Sequence, residues 1–297
     1  MSFETREKAN RFKAGYSGFT GYLHIQHKFH EMITFSIATF NTNSIRSRLH
    51  IVIPWLEKNP VDVLCMQETK VRDEDFPKEA FDKIGYNVIC RGQKSYNGVA
   101  IASRHKIKDM AVGFDDHENS PEDETRLIRC IVKDIPVVNA YVPQGRALDH
   151  VYFQIKLRWF ERLRELFERN YSPDEPLLWC GDFNVAPEPA DVYAPDRLAD
   201  HVCFHEDVRK ALEKVKAWGF IDVFRKLNPG PDQYTFYDYR IPNAVKRRLG
   251  WRIDHILATA ALAEHAEKAY IDIGPRLSQK PSDHTFLVAE FGKTAAT

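Results

Sequence analysis

Apolar and polar residues alternate over positions 33–40, reading Ile-Thr-Phe-Ser-Ile-Ala-Thr-Phe, which is the two-residue period of a strand. The run stops at Asn41-Thr42-Asn43-Ser44. Leu49, Val52, Ile53 and Leu56 then recur at helical spacing, with Asn43 or Ser44 as a cap. Pro54 lacks a backbone N–H, so this helix is expected to kink near residues 48–50 or to break early. Residues 61–66 form a short apolar strand leading into Gln67-Glu68-Thr69-Lys70.

Residues 86–91 and 97–103 read as paired strands joined by a turn at 92–95. Residues 113–125 are rich in Asp and Glu and predict an exposed loop. Two more strands follow at 127–133 and 137–142, the second ending in Tyr141-Val142-Pro143-Gln144-Gly145, where Pro and Gly force a turn. Phe153, Leu157, Phe160, Leu163 and Phe167 put one apolar face on a helix over 150–170, with Arg and Glu opposite.

Residues 177–187, Leu-Leu-Trp-Cys-Gly-Asp-Phe-Asn-Val-Ala-Pro, begin as a buried strand and end in polar groups. Asp182 and Asn184 are two residues apart and leave extended backbone on one face. Beyond them lie an expected surface loop at 186–206 and a helix at 207–218, with Ala211, Leu212 and Val215 inward and Gly219 at its end. A strand of aromatics at 234–239, a basic loop at 243–248 and strands at 251–258 and 285–291 complete the pattern. No linker divides the chain, and both halves mix strands with helices. The architecture this predicts is a single α/β domain of two packed mixed sheets covered by helices.

Residues 1–31 hold no sustained period and predict a poorly ordered extension. Residues 32–293 then form the domain and 294–297 a tail. His24, His27 and His30 lack supporting Cys or carboxylates, and Glu4, Glu7 and Glu31 spoil a transit-peptide pattern. At 297 residues and zero formal net charge, the chain lacks the basic balance that by itself marks a nucleic-acid binder, though a local basic face remains open. Cys65, Cys90, Cys130, Cys180 and Cys203 show no C-x-x-C pair and read as reduced thiols of a cytoplasmic protein. No apolar run approaches the roughly 20 residues that would span a bilayer.

Asn41, Glu68, Tyr141, Asp182, Asn184, Asp254, Asp283 and His284 all fall at or near predicted strand ends, where ligand sites of sheet proteins gather. Carboxylates and amides without thiols suit Mg²⁺, with Mn²⁺ as a substitute. A hard cation beside His, Tyr and Asp suits phosphodiester hydrolysis, because preplaced donors meet the charge that grows on the phosphoryl oxygens. Neighbours on extended backbone point to opposite sides, so the partner of His284 is expected to be Asp254 rather than Asp283.

The ordered set Phe40-Asn41, Gln67-Glu68-Thr69-Lys70, Tyr141-Val142-Pro143-Gln144-Gly145, Gly181-Asp182-Phe183-Asn184, Trp251-Arg252-Ile253-Asp254 and Ser282-Asp283-His284 resembles the exonuclease III class of apurinic/apyrimidinic endonucleases, within the endonuclease/exonuclease/phosphatase superfamily. The resemblance spans residues 33–292. It implies a four-layered αββα sandwich and Mg²⁺-dependent incision 5′ of abasic sites, together with 3′–5′ exonuclease and 3′-phosphatase or phosphodiesterase activity. Double-stranded DNA with abasic sites or blocked 3′ ends is the implied partner of a monomeric enzyme.

By the same resemblance, Glu68 and Asp283 match metal ligands, and Asn41 matches the amide that supports Asp182 and the metal. Asp182 matches the group that activates water, and Asp182 and Asn184 complete the expected metal set of Asn41, Glu68 and Asp283. Asn184 and Tyr141 match groups that hold the scissile phosphate, and Asp254 with His284 the carboxylate-histidine pair beside it. Asp182 and His284 both remain candidate bases. Phe236, Trp251 and Ile253 match the walls of the pocket for a flipped abasic sugar. The bacterial archetype has Trp where this chain has Phe236 and lacks the Trp at 251, so the pocket is closer to that of the animal enzymes. Asn43 stands where some relatives carry a metal-associated Asp. Arg46, Lys70, Arg126 and Arg252 are candidate phosphate contacts, with solvated surface charge as the alternative. The competing readings of the whole chain are a superfamily phosphatase or non-specific nuclease, and a catalytically dead DNA-binding module.

Overall fold

A computed structural model of the protein describes residues 34–292. The expected leader, its three histidines, the start at Met32 and the tail lie outside these residues. Two βαβ units organise the rest. In the first, β1 (Phe35–Asn41) passes through α1 (Ile45–Lys58) to the parallel strand β2 (Val63–Gln67). In the second, β7 (Ile135–Tyr141) passes through α4 (Val151–Asn170) to the parallel strand β8 (Leu178–Asp182).

Antiparallel strands extend each pair. Around the first lie β3 (Asn87–Arg91), β4 (Val99–Ser103), β11 (Ala266–Asp272) and β12 (Phe286–Phe291). Around the second lie β5 (Ile107–Val112), β6 (Leu127–Val132), β9 (Phe220–Asp222) and β10 (Asp254–Thr259). The strand orders, β11-β12-β1-β2-β4-β3 and β5-β6-β7-β8-β10-β9, repeat one plan, with the parallel pair at the middle of a six-stranded sheet. Parallel strands joined by a crossover helix end on the same side of a sheet, so each unit delivers two strand ends to one edge.

The inner faces meet in a core containing Ile37, Val63, Cys65, Val137, Cys180 and Ile256. Outside it, α1 closes one layer through Val52, Trp55 and Leu56, and α4 closes the other through Phe160, Leu163 and Phe167. This is the four-layered sandwich expected from the sequence. All five cysteines are buried free thiols. A polar tie crosses the apolar interior: Gln67 Nε2 donates to Asn139 Oδ1 at 2.7 Å, and Asn139 Nδ2 donates to the carbonyls of Met66 and Ala100 at 3.0 Å each. Buried amides paired in this way fix the register of one sheet on the other, although Gln67 Oε1 is left buried without a partner.

Several expectations need correction. The first helix does not break at Pro54 but runs through it to Lys58. The carbonyl that loses its partner belongs to His50, which is exposed and open to solvent. Neither Asn43 nor Ser44 caps this helix with its side chain. Residues 234–239 form no strand, for Phe236 alone bridges to Trp251 and His284. Tyr234 and Tyr237 instead pack with Ala244 in a small separate core, a three-residue spacing that a strand cannot place on one face.

Residues 186–206 are not a surface loop. They contain two 3₁₀ turns and bury Asp191, Val192, Val202, Cys203 and Phe204. Residues 113–125 bury Phe114 and Asp123 and hold the short helix α3 (Pro121–Glu124), capped reciprocally by Ser120 and Asp123. Buried Arg162 explains the acids there, since it reaches Asp116 at 2.8 Å and Asp123 at 3.1 Å. Strands β5, β9 and β11 were not foreseen.

Candidate active site

Four strand ends converge. Asn41 closes β1, Glu68 follows β2, Tyr141 closes β7 and Asp182 closes β8. The amide of Asn41 joins the two sheets: Nδ2 donates to Glu68 Oε1 at 2.9 Å and to Asp182 Oδ2 at 2.8 Å, while Oδ1 accepts from Asn43 N. Both carboxylates are therefore aimed at one volume by a fully buried amide. Asp182 Oδ1 accepts from Asn184 N at 2.9 Å, and Asn184 Nδ2 donates to Val142 O at 3.0 Å. Glu68 and Asn184 hold left-handed backbone, with φ of 49° and 52°. Such conformations cost roughly 1 kcal/mol or more and persist where the surroundings over-determine them.

Antiparallel pairing sets Asp254, the first residue of β10, directly opposite Asp182. His284, on the approach to β12, places Nδ1 2.8 Å from Asp254 Oδ2, as expected from the sequence, and Nε2 3.8 Å from Asp182 Oδ2. Ser282 holds that approach by donating to Asn41 O at 2.8 Å and accepting from His284 N. Asp283 faces the other way and accepts from Asn43 Nδ2 at 3.0 Å. Lys70 Nζ lies 2.8 Å from Glu68 Oε2 and donates to Asn43 Oδ1. Asp283, Asn43, Lys70 and Glu68 thus form one polar chain along the rim.

Electrostatics follow from burial and close charges. Burial alone would lower His284, but Asp254 and then Asp182 outweigh it and carry the imidazole up to about 10. Burial pushes Asp182 up to about 7 against the pull of His284, with Asp254 and Glu68 adding to the rise. Burial would raise Glu68, yet Lys70 and the Asn41 amide hold its carboxyl below the usual range. Tyr141 rises well above its ordinary value through burial and the charge of Glu68.

The other predicted residues divide. Phe236 is half-buried with its ring 4.9 Å from that of His284, and Trp251 and Ile253 are buried beside it. Arg126 is mostly buried, pairs with Glu122 and lies over the Tyr141 ring. Arg46 is exposed and pairs with Asp75. Arg252 cannot meet a phosphate. It is fully buried, and its guanidinium is held by Asp191 at 2.6 Å and Asp222 at 2.8 Å. The basic character that suggested a nucleic-acid contact instead neutralises two buried acids.

Sequence reasoning missed two neighbours. The His201 ring packs tilted, at 41°, against Trp251 with ring centroids 4.6 Å apart. Lys156 is buried on the apolar face of α4, and the signal was its position, three residues after Phe153 and four before Phe160.

Asp182, Asp254 and His284 bring ligand atoms within 4.8 Å of one another, but His284 is engaged by Asp254 and held as a cation, so the metal-binding atoms of this cluster are its carboxylate oxygens. Among the described residues, Glu68 and Asp283 add oxygen donors at the rim without a thiol, and Asp254 Oδ1 is buried with no hydrogen-bond partner. The donor set fits a hard divalent cation.

A two-sheet sandwich that assembles acids, amides and an Asp-His pair at one joint defines a hydrolase of phosphate esters. The model of the endonuclease/exonuclease/phosphatase family matches residues 38–284, and the chain belongs to that family. Exodeoxyribonuclease III of Haemophilus influenzae is 34% identical over 266 residues, covering 85% of this chain and 98% of that protein. The structure of an AP endonuclease from Archaeoglobus fulgidus superposes with a TM-score of 0.84 at 54% identity, over 86% of this chain and 99% of that one. A 3′-5′ exonuclease from Neisseria meningitidis gives a TM-score of 0.82 at 35% identity over the same shares. The protein is a nuclease of this family.

Proposed function

We propose that the protein is a Mg²⁺-dependent DNA repair nuclease that incises the backbone 5′ of abasic sites and also trims and dephosphorylates 3′ ends. The observation that carries this reading is the Asn41 amide, which draws Glu68 and Asp182 from different sheets onto one volume beside the His284–Asp254 pair. Relatives named as an exodeoxyribonuclease III, an AP endonuclease and a 3′-5′ exonuclease support it.

Glu68 and Asp283, with Asn41 and Asp182 behind them, would hold the cation, which supplies Lewis-acid stabilisation of the phosphoryl oxygens when bound. Asp182 accepts the proton of the attacking water. Its Oδ2 is fixed by Asn41 and its Oδ1 by Asn184 N, so the carboxylate is oriented before substrate arrives. His284, held as a cation by Asp254, presents Nε2 to the phosphate, and the Asn184 amide and Tyr141 hydroxyl donate to its developing charge. Phe236, Trp251 and Ile253 form apolar walls suited to a sugar that has lost its base. Apolar walls reject the polar edges of an intact base.

A timed digestion of an end-labelled duplex carrying one abasic site, with Mg²⁺ and with EDTA, tests this. A single cut 5′ of the lesion, abolished by EDTA, is expected. Binding without incision would favour the non-catalytic module, and shortening from 3′ ends alone would leave only the exonuclease part.

A further inference from the structure

We propose that Lys156, from the second turn of α4, is a positioning residue whose ammonium locks the two loops that carry Tyr141 and Asn184 into the geometry that meets the scissile phosphate. The proposal rests on the phosphate-holding role given to those two residues above.

Lys156 has no solvent exposure, and it donates to three backbone carbonyls: Asn184 O at 2.7 Å, Val202 O at 2.9 Å and Gln144 O at 3.2 Å. An ammonium has three N–H groups, and each is used. Among the described residues its ammonium is held by carbonyls and not by a carboxylate. Packing alone does not require this arrangement. The position faces the core between Phe153 and Phe160, where methionine would fill the same space without desolvating a charge. Burial holds the amine below its ordinary value, with the nearby Cys203 and Asp182 opposing that fall.

The three acceptors identify what the charge holds. Gln144 follows Tyr141 by three residues in the loop leaving β7, and Gly145, with φ of 100°, lets that loop pass close to the lysine stem. Asn184 is the second residue beyond β8 and is held in left-handed backbone. Its N–H is tied to Asp182, its side chain to Val142 O and its carbonyl to Lys156, so three anchors fix one residue. Val202 belongs to the segment whose His201 ring packs against Trp251. One ammonium therefore sets the phosphate-facing ends of β7 and β8 against each other and against a wall of the pocket. Without it, the Asn184 carbonyl is left buried and free to turn, and the amide loses its aim.

A double-mutant cycle on the full chain tests the role, comparing wild type, Lys156→Met, Asn184→Ala and the double variant. The readouts are the single-turnover rate on the abasic duplex, the duplex dissociation constant in EDTA, and Tm. Loss of one preorganised donor in Asn184→Ala is expected to slow the reaction about 100-fold or more. Lys156→Met is expected to slow it about 10- to 100-fold while duplex affinity changes no more than about threefold, as expected for an effect on the transition state. The double variant is expected to be within about fivefold of Asn184→Ala, because the two changes remove one unit.

Costs that multiply in the double variant, or a folded Lys156→Met with the wild-type rate, overturn the proposal. If Lys156→Met does not fold, the same cycle in Lys156→Gln decides by the same criterion. A wild-type protein inactive on every DNA substrate would sink the function and this role together. An active wild type with multiplying costs sinks this role alone.

Discussion

Nδ1 of His284 and Oδ2 of Asp254 lie 2.8 Å apart although the two residues enter strands of different sheets, β12 and β10. The bond closes the joint of the sandwich over Asp182, and it fixes which imidazole nitrogen is left for the substrate. Removing His284 removes a charged donor, and Asp254→Asn removes the charge that sustains it. Each is expected to lower turnover by about 10²- to 10⁴-fold with DNA affinity nearly unchanged, read by single-turnover kinetics and anisotropy. A loss confined to affinity would remove His284 from the chemistry.

The same pair sets a pH dependence of stability. His284 rises in the folded state from its ordinary 6.5 to about 10, so its contribution is fully present below about pH 6.5 and is lost as pH rises through about 10. Thermal melts of EDTA-treated protein should therefore lose stability across that window. His284→Gln should flatten the loss.

Asn41 touches both Glu68 and Asp182, and its replacement by alanine frees two carboxylates that are expected to share a cation. Loss of such an orienting partner typically weakens metal affinity about 10- to 100-fold. In Mg²⁺ titrations of the rate, Asn41→Ala should need correspondingly more Mg²⁺, with partial recovery at saturation. An unchanged Mg²⁺ midpoint would mean that the amide serves the fold alone.

Arg252 predicts stability, not DNA binding. Breaking a buried ion pair from one side costs about 3–5 kcal/mol, so Arg252→Met should lower Tm sharply, whereas the salt dependence of duplex binding should keep its slope. Against burial, which would raise them, Arg252 holds Asp191 below and Asp222 well below the ordinary carboxylate value. Their contribution is present above about pH 3.8 and is lost as pH falls through the depressed range, so wild type should lose stability in acid. A weaker salt slope in folded Arg252→Met would restore the phosphate contact.

Gly181 pairs with Ala140 of β7, and a Cβ there would sit 2.0 Å from Ala140 O, at φ of 133°. Gly181→Ala must push the two strands apart just before Asp182. A loss of about 1–3 kcal/mol is expected from denaturant unfolding, together with reduced turnover. Neutrality in both measurements would show that the strand ends tolerate displacement.

Much of the architecture is legible in local order. Alternation over β1, apolar runs at β2 and β8, and the stripe on α4 follow from the periods of strand and helix, and the polar residues after each run mark the strand ends that become the site. The elements that escaped notice carry weak patterns. β5 is largely exposed and β9 has three residues, so neither writes a long alternating run. The segment 186–206 looks like a loop because its Pro, Asp and His content is that of a surface, yet Asp191 is drawn inside by arginines far along the chain.

By itself, then, the sequence determined the strand ends, the residue types that gather there and the pairing of His284 with Asp254 rather than Asp283, because these depend on short-range period and on the side to which neighbouring residues point. Tertiary structure alone decided that Arg252 is a buried counter-ion, that Lys156 holds backbone carbonyls, and that Lys70 and Asn43 close the rim at Glu68. A charged side chain reads the same in sequence whether it meets water or an opposite charge, and only long-range packing settles which.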